Sequence, residues 1–363
     1  MQDRTKNKIV SISFVVILIS VFLTNIIVKD KQISTAERRK LAQLPKISIN
    51  KVISGDVMKK WEDYAVDQFV ARDLFRTIKS VWSINIFNQK DTNNLFVKNE
   101  AIYKMEYPLS EKNIEKSADK INAVYEKYLQ NMQVYYAIIP DKNYYLENDD
   151  HLKIDYDKLK EIMQSKLVQL NYIDIWNDLK LEDYYKTDLH WKQECLHDVA
   201  KTIQKNMNLE STKEVNYKIK DMGHFYGTYY GQLGLKLLPD KLYVLTNETL
   251  ENCTTYNYET KMTGKIYAQN TSTDKYDIYL SGATPLISIE NPNAKTDNEL
   301  LLFRDSFGSS LAPLLIENYS KITLIDLRYI SSKLLGEYID FKDQDVLFLY
   351  STVVLNQGVL NTK

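Results

Sequence analysis

Residues 300–315 read LLLFRDSFGSSLAPLL, and this stretch decides the fold class. An apolar run typical of a buried strand leads directly into the turn RDSFG, and a second apolar run with helical spacing follows. A strand joined to a helix by so short a turn is the unit of an α/β domain, in which ligands bind at the carboxyl ends of strands. We therefore expect Ser306 at the rim of a sheet, beside the free backbone N–H groups that begin a helix. The alternative is that Asp305 or Ser306 only caps that helix.

The same alternation of short apolar strands and helices extends over the C-terminal half of the chain. Strands are predicted at residues 134–139, 172–175, 300–304, 321–326 and 346–350, and helices at residues 111–130, 155–170, 191–206, 309–317 and 332–338. Short apolar strands between helices indicate a largely parallel sheet. Residues 217–279 are rich in Tyr, Thr and Gly and predict antiparallel ribbons. We therefore place an α/β domain at residues 101–363, with a β-rich insertion at about residues 215–285.

The N-terminus contains an uncharged apolar run at residues 9–28. A helix of this length spans about 30 Å, the thickness of the hydrocarbon core of a bilayer. Three basic residues precede it, which predicts a single-pass anchor with a cytoplasmic N-terminus and the domain at residues 101–363 outside the cell. A signal peptide is the alternative, although its apolar core is usually shorter and ends in small residues. Residues 1–30 are thus predicted as cytoplasmic tip and anchor, and residues 31–100 as juxtamembrane stalk and N-terminal helices.

The composition of the 363 residues excludes several classes of protein. Lys and Arg number 47 against 48 for Asp and Glu, which argues against a nucleic-acid partner. Hydrophobic residues make up 44%, which excludes a largely disordered chain. The only cysteines, Cys195 and Cys253, cannot form a disulfide framework, and whether they pair stays open. A total of four His and the lack of a C-x-x-C motif argue against a metal, so we expect no metal and no cofactor.

A second stretch, residues 184–197, reads YYKTDLHWKQECLH. Asp188 and His190 are two apart, so in an extended segment their side chains point to the same side. A carboxylate there can hold the imidazole tautomer, and the other ring nitrogen can then take a proton from the Ser306 hydroxyl. The alternative is an aspartate cap followed by an incidental histidine. Trp191 is a candidate to pack against the imidazole or a sugar.

Two short strings resemble those of the DHHW-type proteins of Gram-positive bacteria, which are similar to the alginate O-acetyltransferase family. The usual T-D-H-H-W string appears as TDLHW at residues 187–191, with Leu189 in place of the first histidine, and residues 304–308 match K/R-D-S-Y/F-G. The resemblance extends over nearly the whole chain. Its other matching positions are Trp61, Tyr64, Asp67, Phe69, Arg72, residues 139–142, Phe225, Gly227 and residues 325–329.

The resemblance implies a circularly permuted SGNH hydrolase-like domain, which is a flavodoxin-like sheet with inserted β-ribbons that here follows one transmembrane helix. It also implies Ser306 as the nucleophile, His190 as the general base and Asp188 as the residue that orients it. The candidates for oxyanion or substrate contacts are Phe307, Gly308, Asn356, Arg304, Arg328 and Trp191.

The function implied is a membrane-anchored, extracytoplasmic O-acetyltransferase that acetylates a polysaccharide hydroxyl through an acetyl-Ser intermediate. The resemblance implies a membrane-bound O-acyltransferase as the acyl supplier. Two alternatives stay open. A carbohydrate acetylesterase would use the same three residues, and a non-catalytic scaffold of an exopolysaccharide complex would bind glycan by stacking on its Tyr-rich ribbons. The glycan, the acyl length and the oligomeric state are not encoded in these patterns.

Overall fold

The structure is a computed structural model that describes residues 2–34, 36–37, 39–46, 56–147, 151–209, 215–269 and 274–361. The chain forms two compact units. One comprises Met1–Asn93 with Tyr230–Lys236, and the other comprises Asn94–Tyr229 with Leu237–Lys363. The domain boundaries expected from the sequence, near residues 30 and 100, stay a prediction.

The smaller unit begins with α1 (Gln2–Ile27), which is long and apolar enough to cross a membrane. A signal sequence near an N-terminus can also meet these criteria of length and apolar composition, so the anchor and its orientation stay predictions. After α1 come a two-stranded ribbon and two helices: β1 (Ile33–Ser34), β2 (Arg39–Lys40), α2 (Asp56–Asp67) and α3 (Arg72–Ser80), which continues into a π-helical turn at Val81–Ile86. The predicted stalk lies partly outside the described residues, at residues 35, 38 and 47–50.

The remaining strands and helices follow the predicted alternation. In chain order they are β3 (Leu95–Lys98), β4 (Ala101–Lys104), α4 (Glu111–Val124), β5 (Val134–Ile139), α5 (Tyr156–Lys166), β6 (Asn171–Ile173), α6 (His197–Asn206), β7 (Lys218–Phe225), α7 (Thr228–Leu233), β8 (Asp240–Thr246), α8 (Glu248–Asn252), β9 (Thr254–Asn257), β10 (Met262–Gly264), β11 (Leu286–Glu290), β12 (Glu299–Arg304), α9 (Gly308–Leu315), β13 (Lys321–Ile325), β14 (Asp345–Ser351) and α10 (Thr352–Gln357).

An eight-stranded sheet organises the larger unit, in the order β10-β9-β11-β13-β12-β14-β5-β6. The strands from β13 to β6 are parallel, and β11, β9 and β10 extend the sheet in antiparallel fashion. All six residues of β5 are buried, as are the last five of β12, because a parallel strand packs apolar side chains on both faces. The mixed α/β fold class predicted from the sequence is confirmed.

Three parts of the larger unit differ from the sequence prediction. The helix expected at residues 332–338 is a 3₁₀ helix, Ser332–Glu337. The helix expected at residues 191–206 begins only at His197, because Trp191 pairs with Tyr184 across a tight loop and residues 193–195 form a 3₁₀ turn. The hairpin of β3 and β4 was not predicted. The antiparallel ribbons expected in the insertion are present: β7 pairs with β8, and β9 and β10 join the main sheet through β11.

Candidate active site

Ser306 lies in the turn between the carboxyl end of β12 and the start of α9. The preceding Asp305 is buried and holds this turn in place. Its Oδ1 accepts the N–H of Phe307 at 3.0 Å, and its Oδ2 accepts the N–H and hydroxyl of Ser351 at 2.8 and 2.7 Å. Asp305 therefore joins the turn to the end of the neighbouring strand β14 and leaves the Ser306 hydroxyl partly accessible.

The side chains of Asp188, His190 and Ser306 form a continuous chain of hydrogen bonds. His190 Nδ1 lies 2.6 Å from Asp188 Oδ1, and His190 Nε2 lies 2.7 Å from Ser306 Oγ. Two backbone N–H groups, of His190 and Thr228, donate to the Asp188 carboxylate at 3.0 and 2.6 Å. Both oxygens of the Asp188 carboxylate therefore accept hydrogen bonds. This favours the His190 tautomer with its proton on Nδ1, and the Nε2 lone pair then faces the Ser306 hydroxyl.

The loop that carries Asp188 is fixed from two sides by buried charges. The Lys142 ammonium donates to the backbone carbonyls of Tyr185, Lys186 and Asp188 at 3.0, 3.3 and 2.8 Å. Burial lowers the pKa of Lys142 to about 7. On the other side, the Asp240 carboxylate accepts the backbone N–H groups of residues 186 and 187, each at 2.8 Å. Five backbone groups of this loop are therefore satisfied by buried charged side chains, which restrains the loop.

Gly227 permits the close approach of a second segment to the same loop. A Cβ at this position would lie 2.2 Å from the Thr187 carbonyl oxygen and 2.4 Å from Asp188 Cβ, so no larger residue fits without displacing the loop. The N–H of Gly227 donates to Thr187 Oγ1 at 2.8 Å. This contact places the neighbouring Thr228 N–H against the Asp188 carboxylate.

Two aromatic rings hold the His190 imidazole in its plane. Tyr276, in the 3₁₀ turn Lys275–Ile278, stacks on it with ring centroids 3.9 Å apart and an angle of 9° between the planes. Phe307 packs at 4.7 Å with an angle of 55°. Burial raises the pKa of Tyr276 well above its ordinary value, so its hydroxyl, 3.0 Å from Ser310 Oγ, stays protonated. Sequence analysis missed Tyr276, since one tyrosine among 27 carries no distinguishing signal.

Trp191 is wholly buried, and its Nε1 donates to Ser310 Oγ at 2.9 Å and to the Phe307 carbonyl at 3.2 Å. The suggested stacking against a sugar does not fit this burial. The indole instead joins the loop of Asp188 and His190 to the start of α9. It thereby helps to hold His190 within hydrogen-bonding distance of Ser306.

The candidate oxyanion donors are largely engaged elsewhere. The N–H of Phe307 donates to Asp305 Oδ1, and that of Gly308 donates to the Asp305 carbonyl at 3.1 Å. The Asn356 amide donates to two carbonyls of residues 106–108 and accepts the N–H of residue 110, so the structure directs it to that loop rather than to Ser306. Within the described part of the chain, the backbone N–H of Ser306 itself donates to no other atom.

The two candidate substrate arginines gather around the buried carboxylate of Asp326, at the end of β13. Arg328 binds it through Nε at 2.9 Å and Nη2 at 2.7 Å. Arg304 is wholly buried, with Nη1 3.7 Å from Asp326 Oδ2 and with Nε and Nη2 unpartnered. Burial lowers the pKa of Arg304. A direct contact of Arg304 with substrate does not fit this burial.

The two cysteines and the histidines considered as metal ligands in the sequence analysis form no further site among the described residues. Cys195 and Cys253 are free thiols. Among the residues that the structure describes, no group of three or more His, Cys, Asp or Glu side chains is arranged to hold a metal ion.

Fold and site together define a class of protein: an α/β domain in which a serine, a histidine and an aspartate are linked by hydrogen bonds at the carboxyl edge of a parallel sheet. Residues 162–325 match the family model described as DHHW protein, and this segment includes Asp188, His190 and Ser306. The resemblance expected from the two sequence strings is confirmed.

Two solved structures, each with a TM-score above 0.5, show the same fold at low sequence identity, and a third is less similar. A DHHW family protein from Eubacterium siraeum is 20% identical, with 75% of this chain and 96% of that chain covered and a TM-score of 0.62. PatB1 from Bacillus cereus, solved with a sulfonyl adduct, is 22% identical, with 75% and 100% covered and a TM-score of 0.59. The O-acetyltransferase domain of Pseudomonas putida AlgJ is 11% identical, with 72% and 92% covered and a TM-score of 0.46. No curated protein matches the chain significantly.

Proposed function

We propose that this chain is a membrane-anchored, extracytoplasmic O-acetyltransferase that transfers acetyl groups to a polysaccharide hydroxyl. The observation that carries the proposal is the hydrogen-bonded chain from Asp188 through His190 to Ser306, with distances of 2.6 and 2.7 Å. A serine in this arrangement becomes a nucleophile because the imidazole accepts its proton as the new bond forms.

In the first step, Ser306 Oγ attacks the carbonyl carbon of the acetyl donor while His190 Nε2 takes the hydroxyl proton. The Asp188 carboxylate stabilises the resulting imidazolium through the hydrogen bond to Nδ1. The backbone N–H of Ser306 is the candidate donor to the oxyanion, because the N–H groups of Phe307 and Gly308 are engaged with Asp305. Collapse of the intermediate breaks the bond to the leaving group, which receives the proton from His190, and acetyl-Ser306 remains.

In the second step, a sugar hydroxyl replaces the leaving group. His190 Nε2 accepts the hydroxyl proton as the sugar oxygen attacks the acetyl carbonyl carbon. The bond to Ser306 Oγ then breaks, His190 returns the proton to Ser306, and the acetylated sugar departs. An esterase would differ only in that water takes the place of the sugar.

Two features favour transfer over hydrolysis. The helix α1 is long and apolar enough to hold the domain at a membrane, where a membrane-bound O-acyltransferase would supply acetyl groups from the cytoplasm. Residues 187–191 and 304–308 resemble DHHW-type proteins, which are similar to the alginate O-acetyltransferase family, and this points the same way. We also infer an SGNH hydrolase-like domain in circularly permuted form, since the Asp-His pair precedes the serine in the chain.

The test uses the full-length chain in detergent micelles with p-nitrophenyl acetate, with and without an oligosaccharide acceptor. Ser306→Ala is compared with Ser309→Ala, a matched change one helical turn further on. We expect nitrophenol release and acetylated sugar, detected by mass spectrometry, from the wild type and from Ser309→Ala but not from Ser306→Ala. Full transfer by Ser306→Ala would refute the mechanism. Release without acetylated sugar across a panel of acceptors would favour the esterase, and no release that depends on Ser306 would favour the scaffold.

A further inference from the structure

The helix α3 is amphipathic, and its polar side rather than its apolar side packs against the rest of the smaller unit. Arg76 donates to the carbonyls of residues 231 and 232 at 2.6 and 2.7 Å. Thr77 donates to the carbonyl of residue 234, and Ser80 to that of residue 233. These bonds all lie within the smaller unit and fix which side of the helix points outward.

The outward side of the same helix is apolar. Leu74, Phe75, Ile78 and Trp82, which we call the apolar face, are 58%, 56%, 42% and 50% exposed. Positions 74, 78 and 82 are four apart, so their side chains form one ridge, and Lys79 lies at its edge, four residues after Phe75 and three before Trp82. Three exposed residues extend this surface: Phe69, which packs edge-on against Phe75 at 5.7 Å, Ile86 and Phe87. A contiguous exposed surface of this kind marks an interaction site.

The segment that leads into α3 is bonded to the carboxyl end of α1. Asn25, two residues before α1 ends, accepts the backbone N–H of Val70 at 2.9 Å. The backbone of Lys31 exchanges two hydrogen bonds with the Gln68 side chain, both at 2.9 Å. The start of α3 is therefore held within a few ångströms of the point at which α1 ends.

We infer that residues 69–87 lie in the outer interface of the membrane that α1 spans, with the apolar face among the lipid headgroups and upper acyl chains. This inference rests on the proposed anchoring by α1. The lipid bilayer is the occupant that the geometry favours, because the bonds to Asn25 and Lys31 keep the face beside the helix that enters it. A tryptophan beside aliphatic residues is the composition that membrane–water interfaces select.

The test is tryptophan quenching in vesicles that contain the full-length chain. Vesicles are made from phosphatidylcholine brominated at carbons 6 and 7 or at carbons 11 and 12 of the acyl chain. Of the four tryptophans, Trp176 and Trp191 are buried, so Trp82→Phe removes the signal from the apolar face and Trp61→Phe is the matched control. We expect the emission that Trp82→Phe removes to be quenched at least about twofold by the shallow bromines and less by the deep ones.

A second variant and two companion measurements make the result decisive. Replacing Leu74 and Phe75 together by Gln is expected to lower the quenching of Trp82 while the chain still floats with vesicles, since α1 remains. Flotation with Trp82 unquenched would overturn the inference and leave the anchor intact. Trp82 shielded from aqueous iodide but unquenched by bromolipid would also overturn it, in favour of a second copy of the chain. A chain that does not float would overturn the anchoring and the inference together.

Discussion

Replacing Asp188 by Asn tests the proposed chemistry most directly, because the structure shows which hydrogen bonds an amide cannot make. The carboxylate receives three donors: the backbone N–H groups of His190 and Thr228, and the imidazole Nδ1–H. The two backbone donors approach different oxygens. In either orientation of an asparagine, its NH₂ group therefore faces one backbone N–H.

The expected cost of Asp188→Asn follows from these contacts. One buried N–H left without an acceptor lowers the free energy of unfolding by about 1–3 kcal/mol. The rate of acetyl-Ser306 formation falls further, because the imidazolium loses the negative charge beside it and, in one amide orientation, the imidazole takes the wrong tautomer. Loss of this carboxylate in a Ser-His-Asp site costs about a thousandfold to ten-thousandfold, or about 4–5 kcal/mol in the barrier.

The assay compares Asp188→Asn with Ser306→Ala in the full-length chain. Urea unfolding gives the stability, and the release of nitrophenol from p-nitrophenyl acetate gives the rate. Ser306→Ala should lose the activity while it keeps the stability, since it leaves all three bonds to Asp188 in place. A loss of less than tenfold in Asp188→Asn, beside an inactive Ser306→Ala, would refute the role assigned to the aspartate.

Three further changes probe the surroundings of the site. Between pH 7 and about 10, Lys142 binds fewer protons in the folded state than in the unfolded state, because its pKa in the folded state is about 7. The free energy of unfolding of the wild type, minus that of Lys142→Met, should therefore rise with pH in this window, by up to about 1.4 kcal/mol per pH unit. Urea unfolding at pH 6, 8 and 9.5 measures this, and a difference that shrinks with rising pH would contradict it. Gly227→Ala should displace the loop of Asp188 and lower the acylation rate about a hundredfold, which a rate within threefold of wild type would exclude. Tyr276→Leu should lower the rate about threefold to tenfold through loss of the stack on His190, whereas Tyr276→Phe should stay near wild type; equal rates in both would argue against the stack.

Much of the sheet was predictable because its parallel strands are buried on both faces. The run VYYAII at residues 134–139 is strand β5 with the predicted bounds, and β12, β13 and β14 each differ from prediction by one or two residues. The helix expected at residues 191–206 begins six residues later than predicted, at His197, for a tertiary reason. Trp191 fits a helical apolar pattern, but its side chain is drawn into the core beneath α9.

The candidate site was predictable only in its reactive residues. Asp188, His190 and Ser306 are recognisable because their types and local spacing suit one chemistry. Lys142 lies in the matching stretch at residues 139–142, but the sequence does not reveal its contact with the loop of Asp188, and Asp240 resembles an ordinary surface charge. Their burial depends on segments that meet only in the folded state.

The position of β14 has a consequence for how the protein is made. Among the described strands β14 is the last in chain order, yet it lies between β12 and β5 in the middle of the sheet. Its terminal Ser351 also completes the contacts of Asp305. Until β14 has been synthesised, β12 and β5 therefore lack the strand that lies between them. The turn that carries Ser306 therefore acquires the contacts between Asp305 and Ser351 only after residue 351 has been synthesised.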